Sequence, residues 1–198
     1  MRPYDERFDD LLAHAARVFA EQGYHSTTMR ALAAASGMSL AGIYYYVRGK
    51  EELLERVQAR CFTRVLEGAR EAIAACPADP VERLQAFIRH HVAFFALHMH
   101  EMKVLSHEAA ALTGERLRRV TAIKRRYVDL LERLVKDAAP EERAVERSAA
   151  AYILFGMMNW IYTWYHPGGE IAPDRLAGLI ARIFLGGFVE AGSTVQGG

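Results

Sequence analysis

The chain has 198 residues, a formal net charge of +1 and 52% hydrophobic residues, which is enough for a full hydrophobic core. Eight acidic residues balance the eight basic residues of positions 1–60, and this balance argues against indiscriminate binding to nucleic acids. The two cysteines, Cys61 and Cys76, have no metal-site or redox-motif spacing and the N-terminus has no signal peptide, so we expect reduced thiols and a cytoplasmic protein.

Helical periodicity runs through the whole chain, and no segment alternates like a β-strand. Glycine and proline positions punctuate the pattern and divide it into segments of helical length. The sequence therefore predicts an all-α fold of about nine helices, over residues 5–22, 28–36, 40–47, 51–75, 80–98, 99–111, 114–137, 141–165 and 173–191.

Residues 27–50 contain two short helical segments around a glycine, which is the pattern of a helix-turn-helix that binds DNA. Thr27 or Thr28 can cap the first of these helices, and Gly37 can adopt the positive φ that ends it. Ser39 can cap the second helix, in which Ile43 occupies an inward-facing position. Residues 22–50 contain no aspartate or glutamate, so a phosphate backbone would tolerate this surface.

The same region resembles the DNA-binding domain of the tetracycline-repressor (TetR) family. The matching blocks are Gly-Tyr-x-x-Thr-Thr-Met, Leu-Ala-x-x-Ser-Gly-Met-Ser and Ile-Tyr-Tyr-Tyr-Val-x-x-Lys-Glu-Glu-Leu, all in register between positions 23 and 54. The resemblance implies an all-α homodimer. Its three-helix DNA-binding domain would occupy residues 1–50, and a larger helical domain for ligand binding and dimerisation would occupy residues 51–198.

The resemblance also implies which residues contact double-stranded operator DNA. Arg30, Leu40 and Ala41 would face base edges, where an arginine can pair with guanine and an apolar side chain can touch a thymine methyl group. Four further residues would hold phosphates or sugar edges, namely Thr28, Tyr44, Tyr45 and Lys50, and Tyr45 could reach a base. Ala41 and Gly42 stand where many members have Gly-Thr, which leaves the operator sequence open. The full predicted set is Thr28, Arg30, Ser39, Leu40, Ala41, Gly42, Tyr44, Tyr45 and Lys50.

A candidate effector pocket lies on the helix predicted over residues 80–98, where aromatic and imidazole groups share one face. Core packing explains this stripe as well as a pocket wall does. A metal site is disfavoured because His91 and His98 stand about 10 Å apart along the helix axis. We predict no metal and no cofactor, and a small hydrophobic effector held by Phe87, His91, Phe94, Phe95, His98, Met102, Tyr127, Tyr152, Phe155 and Asn159.

Six basic residues fall within eleven positions of the helix predicted over residues 114–137, with no acid between them. They could form a solvated face that pairs with neighbouring acids. Alternatively, some of them could hold the phosphates of a coenzyme A thioester whose acyl chain enters the aromatic pocket, as in some lipid-sensing members of the family. The six are Arg116, Arg118, Arg119, Lys124, Arg125 and Arg126.

Residues 148–169 carry no charged side chain other than histidine and are long enough for a membrane span. Asn159 and Gly156 interrupt this segment, and a helix that is apolar on all sides can instead be buried against a partner subunit. A second apolar face follows over residues 174–190 and includes Ile183, Phe184 and Phe188. We therefore predict that the last two helices form a four-helix interface in a homodimer, with no membrane span.

No nucleophile elbow, phosphate-binding glycine loop or zinc-protease motif is present, so we do not expect an enzyme. The predicted function is a ligand-responsive transcriptional repressor. It would bind a palindromic operator as a homodimer, and a hydrophobic effector, an acyl-coenzyme A or an aromatic compound, would alter its DNA affinity. The alternative is a helical membrane-associated or interaction protein that does not bind DNA.

Overall fold

The computed structural model describes the backbone of residues 4–189 and the side chains of residues 6–187 except residue 109. These residues form nine α-helices and no strand, which confirms the predicted fold class. The helices are α1 (Tyr4–Gln22), α2 (Met29–Ser36), α3 (Leu40–Tyr46), α4 (Lys50–Ala74), α5 (Pro80–Leu97), α6 (Met99–His107), α7 (Gly114–Ala138), α8 (Ala144–Asn159) and α9 (Pro173–Phe184).

Two predicted helices are shorter in the structure by more than one residue, those expected over residues 99–111 and 141–165. The helix expected to reach residue 111 ends at His107, and a 3₁₀ turn follows at Ala109–Ala111. The helix expected over 141–165 begins at Ala144, because the Glu146 carboxylate accepts a hydrogen bond from the backbone N–H of Arg143 and caps that end. It gives way to a 3₁₀ turn over Trp160–Thr163, and α9 continues as a π-helix over Leu185–Val189. The predicted residues 190 and 191 lie outside the described residues.

The described residues divide into two compact units, of which the first comprises residues 4–63 and 98–123. In this unit α1 packs against α2 and α6, and α2 packs against α3. Phe19, Leu32, Ile43 and Leu53 are fully buried in its core, and apolar residues of α6 and α7 complete the same cluster. Ile43, which was predicted to face inward, is therefore one of the residues that fill this core.

The second unit comprises residues 64–97 and 124–189, and its helix α5 packs against α8 and α9. Because the two units are interleaved along the chain, they do not follow the predicted functional division at residue 50, which stays a prediction. Within this unit, α4 approaches α5 closely at Gly68. A Cβ atom at position 68 would lie 2.4 Å from Cε1 of His90, whose Nε2 is 3.2 Å from the carbonyl oxygen of Val65. Only glycine fits there without displacing the imidazole.

Candidate DNA-binding surface and ligand-binding core

The helix-turn-helix is closed by the local hydrogen bonds that its sequence predicts. Thr28 caps α2, and its Oγ1 accepts a hydrogen bond of 3.1 Å from the backbone N–H of Ala31. Gly37 ends α2 at φ 66°, and the Oγ of Ser39 accepts a bond of 3.0 Å from the N–H of Gly42. Since these oxygens act as acceptors, each hydroxyl hydrogen can still be donated to a phosphate.

The predicted DNA contacts are mostly exposed on the first unit. Tyr44 and Tyr45 are exposed by 50% and 74% of their surface, and Arg30, Leu40 and Ala41 are exposed as well. Gly42 is half-buried, and a Cβ atom added at this position would lie only 3.2 Å from the Oγ of Ser39. The outer face of α3 therefore exposes apolar and aromatic side chains to solvent, while Ile43 packs into the core.

Lys50 is the exception among the predicted DNA contacts. Its Nζ donates hydrogen bonds to the carbonyl oxygens of Tyr24 (2.8 Å), His25 (3.2 Å) and Thr27 (2.8 Å). The ammonium group also lies 4.5 Å from the centroid of the Tyr24 ring. An ammonium group has three N–H donors, so these carbonyls account for all of them. The side chain is thus directed to the turn between α1 and α2.

Three further polar residues of the first unit hold it together, and none of them belongs to a site predicted from the sequence. The Glu55 carboxylate accepts hydrogen bonds from Arg116 Nη1 (2.5 Å) and Arg119 Nε (2.6 Å). Glu108 accepts a bond of 2.9 Å from the Tyr24 N–H, and Gln58 Nε2 donates to the Glu108 carbonyl at 3.1 Å. The available signal was the spacing of Glu51, Glu55 and Gln58, which puts them on one face of α4.

Electrostatics in this network favour the ionised carboxylate. Burial alone would raise the pKa of Glu55, but the hydrogen bonds and positive charges of Arg119 and Arg116 outweigh it and hold that pKa below its usual value. The Glu55 side chain is only 9% exposed, whereas Arg116 and Arg119 are exposed by 28% and 50%. These two arginines of the basic run on α7 are therefore occupied by an internal acid.

Five of the predicted ligand-binding residues form one aromatic cluster in the second unit. The rings of Phe87 and Tyr127 stack with centroids 5.1 Å apart, and Phe155 lies 5.6 Å from Tyr127. His91 lies 4.8 Å from Phe95 and 6.0 Å from Tyr127. All five side chains are buried. The stripe recognised on α5 is thus completed by one residue each from α7 and α8.

His91 is the polar member of this aromatic cluster. Its Nδ1 is 2.8 Å from Tyr127 Oη, whereas its buried Nε2 has no hydrogen-bond partner among the described residues. Burial, chiefly, and the neighbouring His90 lower the pKa of His91 to about 3, while the nearby Asn159 side chain, which does not meet hydrogen-bond geometry with Nε2, acts in the opposite direction. The imidazole is therefore neutral, and leaving one buried ring nitrogen unpaired costs about 1–3 kcal/mol.

The remaining predicted ligand-binding residues are placed differently. Phe94 contacts Phe95 and lies under the Arg64 guanidinium, 5.7 Å from its central carbon. Asn159 is half-buried, and Tyr152 is 56% exposed on α8. His98 and Met102 belong to the first compact unit, where Met102 is buried. The assignment of all ten residues to one ligand stays a prediction.

The other four residues of the basic run on α7 divide into a paired and an unpaired group. Arg118 forms an ion pair with Glu115 at 2.6 Å, and Arg125 forms one with Asp129 at 3.0 Å. Lys124 and Arg126, both exposed in the second unit, take part in no ion pair among the described residues. Most of the run therefore fits the interpretation as a solvated face with acidic partners, and two cations remain available to an anionic ligand.

Large apolar side chains are exposed on the last two helices and on the 3₁₀ turn after α8. Ile153 and Trp160 are 62% and 63% exposed, and Ile183 on α9 is 57% exposed. Phe188, which we also assigned to this apolar surface, has a side chain outside the described residues.

Within the described part of the chain, no helix combines the length and the apolar character that a membrane span requires. Among the described side chains, those of residues 6–187 except residue 109, no three metal-ligating groups come together in a way suited to an ion.

Family models match both the N-terminal and the C-terminal part of the chain. Residues 11–57 match the family described as bacterial regulatory proteins, tetR family, and residues 77–188 match the tetracyclin repressor-like C-terminal domain. The chain is 26% identical over 193 residues to the transcriptional repressor KstR2 of Mycolicibacterium smegmatis, covering 93% of this chain and 92% of that protein.

Solved structures give the same result. AibR in complex with isovaleryl coenzyme A and operator DNA is 32% identical, with a TM-score of 0.79 over 89% of this chain and 97% of AibR. A TetR-family transcriptional regulator from Bordetella parapertussis 12822 is 25% identical, with a TM-score of 0.87 over 94% of this chain and 98% of that one. The match extends over the helix-turn-helix and the C-terminal helices alike.

Proposed function

We propose that this chain, which belongs to the TetR family of bacterial regulatory proteins, represses transcription as a homodimer on a palindromic operator and releases it when an acyl thioester binds. Family membership makes it a ligand-responsive, DNA-binding transcriptional regulator and not an enzyme. The proposal concerns the assembly, the operator, the effector and the residues that serve them. Because the chromosome is its target, the predicted cytoplasmic location belongs to the same proposal.

The observation that carries DNA binding is the capped helix-turn-helix with an exposed outer face and no carboxylate over residues 22–50. We assign Arg30, Leu40 and Ala41 to base edges, and the hydroxyls of Thr28 and Tyr44 to the backbone. Ser39, Gly42 and Tyr45 complete the surface. In a dimer, each half-site of a palindrome would receive one copy of α3.

A mobility-shift assay on the DNA directly upstream of the protein's own gene tests this assignment. Arg30→Ala should weaken binding about tenfold or more per half-site, because a bidentate base contact contributes about 1–3 kcal/mol. Arg89→Ala removes the same charge from an exposed position on α5 in the second unit and should leave binding near the wild-type level. Absence of any shift at moderate salt, with the wild-type protein dimeric, would contradict the proposal.

Exposed apolar residues support a homodimer through the last two helices. Tyr152, Ile153, Trp160, Leu179 and Ile183 all expose more than a third of their surface. A contiguous apolar patch in water marks an association surface, and two copies of such a surface would bury each other about a two-fold axis. Ile153→Asp together with Ile183→Asp should produce monomers in analytical ultracentrifugation. Leu97→Asp, at an 81% exposed position at the end of α5, is the matched control and should leave the dimer intact.

The effector proposal rests on the unpaired Nε2 of His91 within an otherwise aromatic cluster. A ligand for this place has an apolar body and one polar group to pair with the imidazole, and the acyl chain and carbonyl of a thioester meet both requirements. The AibR relative was solved with isovaleryl coenzyme A, which supports this class of ligand. Lys124 and Arg126 are the cations that we assign to the coenzyme phosphates.

Titration of operator-bound protein with acyl thioesters, the matching free acids and aromatic compounds tests the effector class. We expect release by a thioester, and a Lys124→Ala/Arg126→Ala variant should need a higher concentration of it. Arg89→Ala together with Arg118→Ala removes two exposed arginines that we do not assign to the effector, and it is the charge-matched control. Release by the free acid alone, or an unchanged response of the double variant, would remove the coenzyme from the proposal, and release by an aromatic compound alone would replace the thioester.

A further inference from the structure

One ammonium group bridges three backbone carbonyls of the turn between α1 and α2. Lys50, at the start of α4, donates to the carbonyl oxygens of three of the residues in this turn, at 2.8, 3.2 and 2.8 Å. Three N–H donors on a tetrahedral nitrogen can converge on three such oxygens, whereas a planar guanidinium directs its donors outward in one plane. The arrangement therefore depends on lysine and not only on a positive charge.

This turn is continuous with the first turn of α2, which carries the predicted base contact. Gly23 opens the turn at φ 78°, and the buried Thr27 donates from its Oγ1 to the Gly23 carbonyl at 2.8 Å. Thr28 follows directly and caps α2, and Arg30 is the second residue of that helix. A shift of the turn would therefore change where Arg30 points.

Glu108, the residue after α6, holds the same turn through a different atom. Its carboxylate accepts the Tyr24 N–H at 2.9 Å, while its backbone carbonyl accepts a bond from Gln58 of α4. Lys50 of α4 thus binds three carbonyls of the turn, and Glu108 binds one of the turn's N–H groups. Both contacts lie within the first compact unit.

We propose that Lys50 is a positioning residue for DNA recognition and not a phosphate contact, and that Glu108 shares this role. The inference rests on the proposed function, since it needs an operator to bind. Lys50 acts on Arg30 through the turn, and its ammonium group binds backbone carbonyls. This positioning role takes the place of the phosphate contact that the family resemblance implies for Lys50.

Lys50→Arg is the decisive variant, measured on a duplex selected from a random pool with the wild-type protein and on an unrelated duplex. We expect about tenfold or more weaker binding to the selected duplex, because a misplaced Arg30 loses its base contact. Binding to the unrelated duplex should stay unchanged, because the charge is kept. In an Arg30→Ala background the substitution should cause no further loss, an outcome that general destabilisation would not produce.

A phosphate contact makes the opposite predictions. Arginine would then replace lysine without loss on the selected duplex. In addition, Lys50→Met would lower the slope of log K against log salt by about 0.9 per subunit and would weaken binding to both duplexes equally. Either result overturns the positioning role. Failure of the wild-type protein to bind either duplex would instead overturn the proposed function itself.

The Glu108 substitutions provide a second test that does not depend on the folding of the Lys50 variants. Glu108→Ala removes the acceptor for the Tyr24 N–H and should weaken binding to the selected duplex. Glu108→Gln removes the same negative charge but keeps an oxygen acceptor, so it should bind close to the wild-type level. Tighter binding by both variants would show that only charge matters and would contradict the role of Glu108. Circular dichroism at the assay temperature checks that each variant is folded.

Discussion

In the first compact unit, charged and amide side chains hold the backbone and each other in one arrangement, as Lys50, Glu55 and Glu108 do. In the second unit, the comparable interior is a cluster of aromatic rings around His91, which has one unpaired nitrogen. Directional hydrogen bonds define a single geometry, whereas apolar packing can be completed by a ligand as well as by the protein. The difference fits a unit that must present α3 in a fixed position and a unit that must admit an effector.

The largest expected effect is in the aromatic cluster of the second unit. Phe87→Ala removes a fully buried ring that stacks on Tyr127, and we expect it to lower the free energy of unfolding by about 3–5 kcal/mol. Urea unfolding followed by circular dichroism measures this change. Phe87→Leu, which fills most of the space, should recover much of the loss. A small effect of the alanine variant would mean that the cluster is loosely packed even without a ligand.

In the first unit, the corresponding change is Glu55→Ala. It leaves Arg116 and Arg119 without their shared carboxylate, and we expect a loss of about 2–3 kcal/mol in the free energy of unfolding. The loss should stay below that of a fully buried pair, since both arginines reach water. Asp129→Ala, which breaks an exposed ion pair with Arg125 outside this network, is the control. If the two substitutions lowered the free energy of unfolding equally, the stabilising role of Glu55 would be contradicted.

The two units should also respond differently to mild acid. The folded-state pKa of His91, about 3, lies below its ordinary value of 6.5, so the unfolded chain takes up a proton first and stability falls as the pH drops below 6.5. Between pH 6.5 and about pH 5 this costs about 2 kcal/mol. His91→Gln should remove that part of the decline in urea unfolding. The lowered pKa of Glu55 matters only below its ordinary value of 4.5. An unchanged pH profile in the glutamine variant would count against a neutral, buried His91.

The smallest effect is expected at the cap of α3. Ser39→Ala removes the acceptor for the Gly42 N–H, and loss of such a cap costs about 1 kcal/mol. Ser39→Asp keeps an acceptor and should restore stability, while its negative charge should weaken DNA binding. Thermal unfolding and a mobility-shift assay together separate these contributions. Normal DNA binding by the aspartate variant would place Ser39 away from the phosphates.

Much of the first unit could be predicted because its defining features are local. The capping residues Thr28 and Ser39 and the turn at Gly37 involve partners three or four positions away, and their residue types identify them. The direction of Lys50 could not be predicted, since its partners lie 23 to 26 positions earlier in the chain. The sequence around a lysine near a recognition helix is the same whether its side chain binds phosphate or backbone carbonyl oxygens.

For the second unit, the periodicity of α5 predicted an aromatic stripe, and the structure adds which neighbours complete it. Tyr127 and Phe155 join Phe87 and His91, whereas Tyr152 is exposed on α8. Tyr152 and Phe155 are three positions apart in an apolar segment, so composition alone does not separate an inward from an outward face. Packing of α5 against α8 and α9 makes that distinction.

The helical class, the capped helix-turn-helix and the family could be predicted, because they depend on residue type and on spacing within a few positions. The partners of the polar atoms become visible only in the folded chain. There Tyr24 meets Glu108 across 84 positions and Glu55 meets Arg119 across 64, while Nε2 of His91 has no hydrogen-bond partner among the described residues. A hydrogen bond depends on distance and direction in space, which the order of residues along the chain does not specify.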